Sequence, residues 1–222
     1  MMARVVIIGA RGKMGGIAQN VFKSSKDFEI VAMPTKNDDL LQILSSSKPD
    51  FVMELGGTEN LYDRVKMIMD QGVKIVIGSS GLSNDQILRI KNKSHGLKLG
   101  ALLVPNFSPA VLDFFRFVSV FASQLSTESN YKIEIIESHH TGKKDKPSGT
   151  ARHIASLLNI PEDDIISIRD DDYHAKHDVV ITRMGERIVL SVDTKSRDAY
   201  ADGLLKSGHI IQSLKDFKIG LD

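Results

Sequence analysis

The sequence has no cysteine among its 222 residues and no marked excess of charge of either sign. Without cysteine, a disulfide scaffold, a thiolate metal site and a cysteine nucleophile are excluded, so any chemistry comes from other groups. The 29 Lys and Arg residues nearly balance the 28 Asp and Glu residues, which removes the basic excess typical of nucleic-acid-binding proteins. No apolar run approaches the ~20 residues of a membrane span, and no secretory signal precedes the first apolar segment. We therefore expect a cytoplasmic protein with neither a nucleic-acid nor a membrane partner.

The first hundred residues alternate short apolar runs with segments whose apolar residues recur at helical spacing. The runs that predict strands are 4–8, 28–33, 50–55, 73–77 and 97–104. They are apolar throughout, which is typical of parallel strands covered by helices on both faces. Thr58 is predicted to cap the third helix, and Ser83 with Gln86 has the spacing of a capping box ahead of the fourth.

The pattern changes after Pro105, where a very apolar segment, 110–122, predicts a helix that begins a second domain. Beyond it, 179–182 and 187–192 predict a hairpin across Met184-Gly185. We expect a smaller α+β domain here, with an open mixed, largely antiparallel sheet, and we interpret the acidic stretch 162–172 as a loop.

The fold class predicted from these patterns is therefore α/β followed by α+β. A final helix at 200–214 is predicted to return to the first domain. The expected division is a dinucleotide-binding domain formed by 1–108 with 197–222, and a substrate-binding and oligomerisation domain at 109–196.

The turn after the first strand, Gly9 to Gly15, has the spacing G-x-x-G-x-x-G. Glycines there let backbone N–H groups and the start of a helix approach a pyrophosphate. Such a turn can be merely a tight connection, but its place at the first strand of a long strand–helix alternation favours a Rossmann-type dinucleotide-binding domain.

The residues after the second strand bear on which dinucleotide binds. An NAD-preferring domain usually carries Asp or Glu there, whereas this chain has Thr35 and Lys36. A hydroxyl and cations, with Arg11 and Lys13 in the glycine turn, suit a 2′-phosphate, so we predict that NADPH binds at least as well as NADH. The alternative for Lys36 is a solvated loop lysine.

The stretch 137–151 combines histidines, lysines and a predicted helix start. Ser148 is predicted to cap the helix, so that N–H groups of Gly149 and Thr150 face an anion. Lysines beside them favour a carboxylate or phosphate, and a lysine crowded by cations has a lowered pKa and donates a proton more readily. A solvated basic loop is the alternative, which the adjacent histidines and the cap disfavour.

Two further histidines, His174 and His177, stand three residues apart. Because neither cysteine nor a carboxylate on a helix accompanies them, we interpret both as loop histidines and predict no metal site.

Glu137 to Ala151 resembles the hallmark of the 4-hydroxy-tetrahydrodipicolinate reductase family, also called dihydrodipicolinate reductases, which reads roughly E-x-H-H-x-x-K-x-D-x-P-S-G-T-A. The glycine turn, Gly78-Ser79-Ser80-Gly81 and Pro105-Asn106-Phe107-Ser108 follow in an order similar to that family's. The resemblance spans nearly the whole chain, although Ser191-Val192-Asp193 stands where the family has T-H-R.

The resemblance implies NAD(P)H-dependent reduction of 4-hydroxy-tetrahydrodipicolinate, a small dicarboxylate, in lysine and diaminopimelate biosynthesis by a homotetramer. It makes His139 a proton donor or acceptor and Lys143 the proton donor. His140, Gly149 and Thr150 would bind the substrate carboxylate. The cofactor-binding residues that it implies are Gly9, Ala10, Arg11, Gly12, Lys13, Met14, Gly78, Ser79, Ser80, Val104, Pro105, Asn106 and Phe107.

Two other functions stay open at this point. A related dehydrogenase acting on an amine or imine would share the first domain, but the stretch from His139 to Thr150 argues against it. A dinucleotide-sensing regulator would leave the groups suited to proton transfer without a use.

Overall fold

The computed structural model describes residues 2–125 and 131–221, which form two compact units. The first unit contains residues 2–107 and 200–221, and the second contains residues 108–199. The strands are β1 (Ala3–Ile8), β2 (Phe28–Ala32), β3 (Phe51–Glu54), β4 (Lys74–Ile77), β5 (Ala101–Leu103), β6 (Lys132–His139), β7 (Ile166–Arg169), β8 (Ala175–Arg183), β9 (Glu186–Thr194) and β10 (Phe217–Ile219). The helices are α1 (Lys13–Ser24), α2 (Leu40–Ser47), α3 (Leu61–Asp70), α4 (Asn84–Leu97), α5 (Pro109–Gln124), α6 (Gly149–Leu158) and α7 (Ala201–Ser213).

The first unit is built on a six-stranded parallel sheet with the order β10-β5-β4-β3-β1-β2. Its central strands are almost fully buried, with Val5, Val52 and Val76 at 0% exposure, as expected for a sheet with helices on both faces. The predicted parallel Rossmann-type sheet is confirmed.

Two local predictions in this unit are wrong, and one strand has no counterpart among the predicted elements. The strand predicted at 97–104 is only Ala101–Leu103, because Leu97 ends α4 and Lys98 turns into the left-handed region at φ 51°. Thr58 does not cap α3, since the backbone turns at Gly57 and Asn60, so Asn60 occupies the N-cap and the helix begins at Leu61. The strand β10 was not predicted, and it adds a parallel edge to β5.

The second unit contains a four-stranded sheet with the order β7-β6-β8-β9. Only the β6–β7 pair is parallel, so the predicted open mixed, largely antiparallel sheet is confirmed. The predicted hairpin is the β8–β9 pair, and it turns at Met184 and Gly185, which both have positive φ. The acidic stretch interpreted as a loop contains β7, which is a correction.

The strand register places the polar residues of this sheet. Glu137 on β6 pairs with His177 on β8, and His139 pairs with Arg169 on β7. Side chains at paired positions share one face of a sheet, so these four lie on the same face. That face also carries Ile135 and Val179, which pack in the core beneath α5 and α6.

No helix in the described part of the chain is both long enough and apolar enough to cross a membrane.

Candidate active site

The glycine turn of the first unit lies against the backbone that follows β3. Gly9 has φ +78°, and a Cβ there would lie 2.3 Å from the carbonyl oxygen of Leu55. A Cβ on Gly15 would lie 2.1 Å from the carbonyl oxygen of Gly9. Both positions therefore require glycine. The helix α1 begins at Lys13 without a side-chain cap at Gly12, so its first N–H groups face the space above the turn.

A cavity of about 620 Å³ opens beside this turn. It lies where the chain changes direction in the sheet, since β1 is flanked by β2 on one side and β3 on the other. Of the residues predicted to bind the cofactor, the cavity is lined by Gly9, Ala10, Arg11, Gly12, Thr35 and Lys36. Lys13 and Met14 are the first two residues of α1.

The cavity also contains two carboxylates that were not among the predicted cofactor-binding residues. Asp38 and Asp39 line it together with Lys36 and Arg11. The backbone N–H and the hydroxyl of Thr35 both donate to Oδ2 of Asp38, each at 2.7 Å. These hydrogen bonds lower the pKa of Asp38, so the pocket holds a fixed negative charge beside its cations.

The other predicted cofactor residues follow β4 and β5 at the same edge of the sheet and lie outside that cavity. Gly78 donates its N–H to the carbonyl oxygen of Glu54 at 3.0 Å. The ring of Phe107 packs so closely on Gly78 that a Cβ there would lie 2.5 Å from Cε2. Ser80 and Val104 to Asn106 lie in the same two segments.

A buried ion pair between Glu54 and Arg64, which the sequence did not predict, stabilises the carboxyl edge of the sheet. Glu54 is 0% exposed, and its two carboxylate oxygens accept from Nε and Nη2 of Arg64, each at 3.1 Å. The same carboxylate accepts from the N–H of Gly56 at 2.7 Å, and the hydroxyl of Ser79 accepts from the N–H of Gly57 at 3.0 Å. The pair thus fixes the segments after β3 and β4.

In the second unit, a buried carboxylate holds the predicted catalytic histidine. Oε2 of Glu137 lies 2.5 Å from Nδ1 of His139, and both side chains are nearly inaccessible to water. Oε1 of Glu137 accepts from Nη2 of Arg169 at 2.8 Å. Burial alone would raise the pKa of Glu137, but hydrogen bonds led by that of His139 outweigh it and hold this pKa well below its usual range. Glu137 is therefore ionised, and the 2.5 Å approach of its Oε2 favours a proton on Nδ1 of His139, which leaves Nε2 for chemistry.

His177 is a second buried imidazole beside this pair. Its ring centroid lies 5.1 Å from that of His139, nearly perpendicular to it. Burial, with the charge of His139 adding to it, lowers the pKa of His177 to about 3, so this ring is neutral near pH 7. Its Nε2 lies 3.1 Å from the hydroxyl of Ser148, which also accepts from the N–H of Ala151 and caps α6 as predicted.

The interpretation of His177 as a loop histidine is wrong. It lies on β8 with 3% exposure, and its pairing with Glu137 comes from the sheet register, which spacing to His174 did not reveal. His174 itself lies in a bend before β8, with its ring centroid 6.1 Å from that of His140.

Lys143 lies in the turn that follows β6, where its N–H donates to the carbonyl oxygen of His140 at 3.1 Å. Its Nζ pairs with Oδ1 of Asp145 at 2.9 Å. The sequence shows a cluster of cations around this lysine, and the structure adds the carboxylate of Asp145. Gly149 and Thr150 form the first turn of α6, where helix geometry directs N–H groups outwards along the axis.

Glu137, His139 and His177 also place one ligand atom each within 4.8 Å of one another. Such a group could surround a divalent cation. The guanidinium of Arg169 already binds the carboxylate, however, and its positive charge opposes a metal ion there. We therefore assign no metal to this site.

The Rossmann-type sheet, the glycine-lined cavity and the buried carboxylate–histidine pair together define a dinucleotide-dependent oxidoreductase. Family models for the N-terminus and the C-terminus of dihydrodipicolinate reductase match residues 3–107 and 110–219. The chain belongs to the dihydrodipicolinate reductase family.

Individual relatives agree with this assignment. A 4-hydroxy-tetrahydrodipicolinate reductase of Carboxydothermus hydrogenoformans is 30% identical over 264 residues, covering 100% of this chain and 98% of the relative. One of Legionella pneumophila is 27% identical over 245 residues, covering 100% of this chain and 99% of the relative. A dipicolinate-bound dihydrodipicolinate reductase from Paenisporosarcina sp. TG-14 has the same fold, with a TM-score of 0.81 at 24% identity over 100% of this chain and 98% of that chain.

Proposed function

We propose that this enzyme reduces 4-hydroxy-tetrahydrodipicolinate with NADPH or NADH in the diaminopimelate route to lysine. The observation that carries the proposal is the buried Glu137–His139 pair at the start of the family's complete hallmark stretch. The chemical name of the relatives and the dipicolinate bound to the solved neighbour support a small cyclic dicarboxylate as substrate.

The first unit fits a nicotinamide dinucleotide. The turn at Gly9 and Gly15 leaves no room for side chains, and the exposed start of α1 favours the pyrophosphate. Arg11 and Lys36 supply cations in the adjoining cavity, beside the carboxylates of Asp38 and Asp39. When bound, the dinucleotide supplies a hydride to the substrate.

The second unit supplies proton transfer and carboxylate binding. The carboxylate of Glu137, 2.5 Å from Nδ1 of His139, favours a proton on that nitrogen, and Nε2 then exchanges a proton with substrate. Lys143, kept in place by Asp145, is the proton donor. The first N–H groups of α6, from Gly149 and Thr150, bind a carboxylate together with His140. Capping of α6 by Ser148 keeps those N–H groups at the exposed end of the helix.

The proposal is tested by following NADPH oxidation at about 340 nm, where the reduced nicotinamide absorbs. The substrate is freshly generated 4-hydroxy-tetrahydrodipicolinate, and the assay is repeated with NADH. Oxidation that depends on this substrate is the expected result. Cofactor binding without oxidation would contradict the proposal and would favour a dehydrogenase of another amine or imine, or a cofactor sensor.

Cofactor preference gives a sharper prediction. We expect Lys36→Ala to weaken NADPH binding by about tenfold, because a charge-assisted contact to the 2′-phosphate is lost, while NADH binding changes by less than about twofold. Fluorescence titration of the reduced dinucleotides measures both. The exposed Lys26→Ala is the control within the same unit. Equal effects of Lys36→Ala on the two dinucleotides would show that Lys36 is a solvated loop lysine.

We also propose a cytoplasmic homotetramer that associates through the open face of the second unit's sheet. Ile166, Ile168 and Val189 lie on the face opposite the helices and are 45%, 41% and 44% exposed. Exposed apolar side chains in such a group favour association. Light scattering measures the mass, and a particle of 24.5 kDa would contradict the assembly.

A further inference from the structure

Arg169 makes contacts that reach well beyond a single ion pair. Its side chain is 15% exposed and projects from the end of β7. Nη2 donates to Glu137 at 2.8 Å and to the backbone carbonyl oxygen of Asp145 at 2.6 Å. Nε donates to the backbone carbonyl oxygen of Lys143 at 3.3 Å. One guanidinium therefore touches both a buried carboxylate and the loop that follows β6.

These contacts join the two groups assigned to proton transfer. Glu137 binds Arg169 through Oε1 and His139 through Oε2. The loop carbonyls that Arg169 holds belong to Lys143 and to Asp145, which itself pairs with Nζ of Lys143. The side chain of Arg169 thus links the Lys143 loop directly to the carboxylate that contacts His139.

We propose that Arg169 is a positioning residue of the reductase, which fixes the Lys143 loop against the Glu137–His139 pair. The inference rests on the proposed function. Only arginine suits the task, because its planar fork reaches a carboxylate and two carbonyl oxygens at once, whereas lysine offers one compact donor group. Proton-transfer groups displaced by even ~1 Å lose about 100-fold in rate.

The residues that hold the proposed carboxylate-binding site are different from those that Arg169 contacts. The N-terminus of α6 is held by Ser148 and His177, neither of which contacts Arg169 through a described hydrogen bond. The N–H groups proposed to bind the carboxylate therefore stay in place when the guanidinium is removed. Loss of Arg169 is expected to lower kcat and to leave KM for the dicarboxylate nearly unchanged.

The test is steady-state kinetics of Arg169→Ala in the full chain, with and without added guanidinium. We expect kcat to fall by about 100-fold and KM to change by less than about threefold. Guanidinium chloride at ~20 mM, far below denaturing concentrations, is expected to restore kcat by about tenfold or more, since the free ion can occupy the vacated site. Sodium chloride at the same concentration is the control for ionic strength, and it should restore nothing.

Arg169→Lys keeps the positive charge beside Glu137. If the alanine variant fails to fold, this second variant tests whether Arg169 positions the Lys143 loop. It is expected to fold, to bind NADPH like the wild type and to lose about tenfold in kcat. The matched control is Arg116→Ala, which removes an exposed arginine that pairs with Asp113 on α5. Wild-type kcat in Arg169→Lys, or a raised KM with unchanged kcat, would overturn the proposal. An inactive wild-type enzyme would instead overturn the proposed function.

Discussion

Replacing Lys143 with alanine is expected to lower kcat by about 100- to 10,000-fold, the usual contribution of a positioned general acid. NADPH binding should change by less than about twofold, because the glycine-lined cavity is built wholly from residues of the first unit. Steady-state oxidation of NADPH at saturating substrate measures kcat, and a separate fluorescence titration measures binding of the dinucleotide.

The control for this prediction is the adjacent lysine. Lys144 is exposed and has the same charge, so Lys144→Ala should keep the wild-type rate if the position of the ammonium group matters. A wild-type rate in Lys143→Ala would remove Lys143 from the mechanism and leave His139 as the only proton-transfer group assigned here.

Replacing Glu137 with glutamine is expected to destabilise the protein by about 3–5 kcal/mol, the cost of breaking a buried ion pair by removing one partner. The variant leaves the guanidinium of Arg169 in a buried site without a counter-charge. It also removes the group that holds the proton of His139 on Nδ1, so kcat should fall as well. Urea-induced unfolding of the two proteins at pH 7 measures the difference in free energy of unfolding.

The pH dependence of stability gives an independent readout of the same pair. Folding holds the pKa of Glu137 below the value of 4.5 for an unperturbed glutamate. As the pH falls below that value, the unfolded chain takes up the proton first, so the stability that Glu137 contributes above it is progressively lost. Glu137→Gln has no such proton to bind, and its stability is expected to fall less on acidification.

Glu29→Gln is the matched control, since Glu29 also lies on a strand, β2, and forms an exposed ion pair with Arg4. A surface pair of this kind contributes less than about 1 kcal/mol. Equal stabilities of Glu137→Gln and the wild type, with the same slope against pH, would contradict the buried ion pair.

Features with local signals could be predicted from the sequence. The Ser83–Gln86 capping box and the Ser148 cap each depend on residues three positions apart, and both are present. The Met184-Gly185 turn predicts the β8–β9 hairpin. Buried parallel strands are recognised in the sequence by continuous apolar runs. The strands β7 and β10 have only four and three residues, and apolar and polar residues alternate within them, so this signal is missing.

The missed parts of the candidate site depend on pairing between distant segments. His177 meets Glu137 across two antiparallel strands, and Arg169 reaches the same carboxylate from 32 residues further along the chain, on a strand in the stretch interpreted as a loop. Arg64 meets Glu54 only after a helix and a strand have packed. Periodicity and spacing identify such residues as polar or charged, but only the sheet register shows that they share one face.

The edge strand β10 has a consequence for how the chain folds as it leaves the ribosome. The first unit lacks α7 and β10 until residues 201–219 have been synthesised, because α7 packs on α1 and β4 and β10 completes the sheet beside β5. The described strands of the second unit all lie within residues 132–194. During translation, every described strand of the second unit is therefore synthesised before the last strand of the first unit, which reverses the N-terminal-first order common among nascent multidomain proteins.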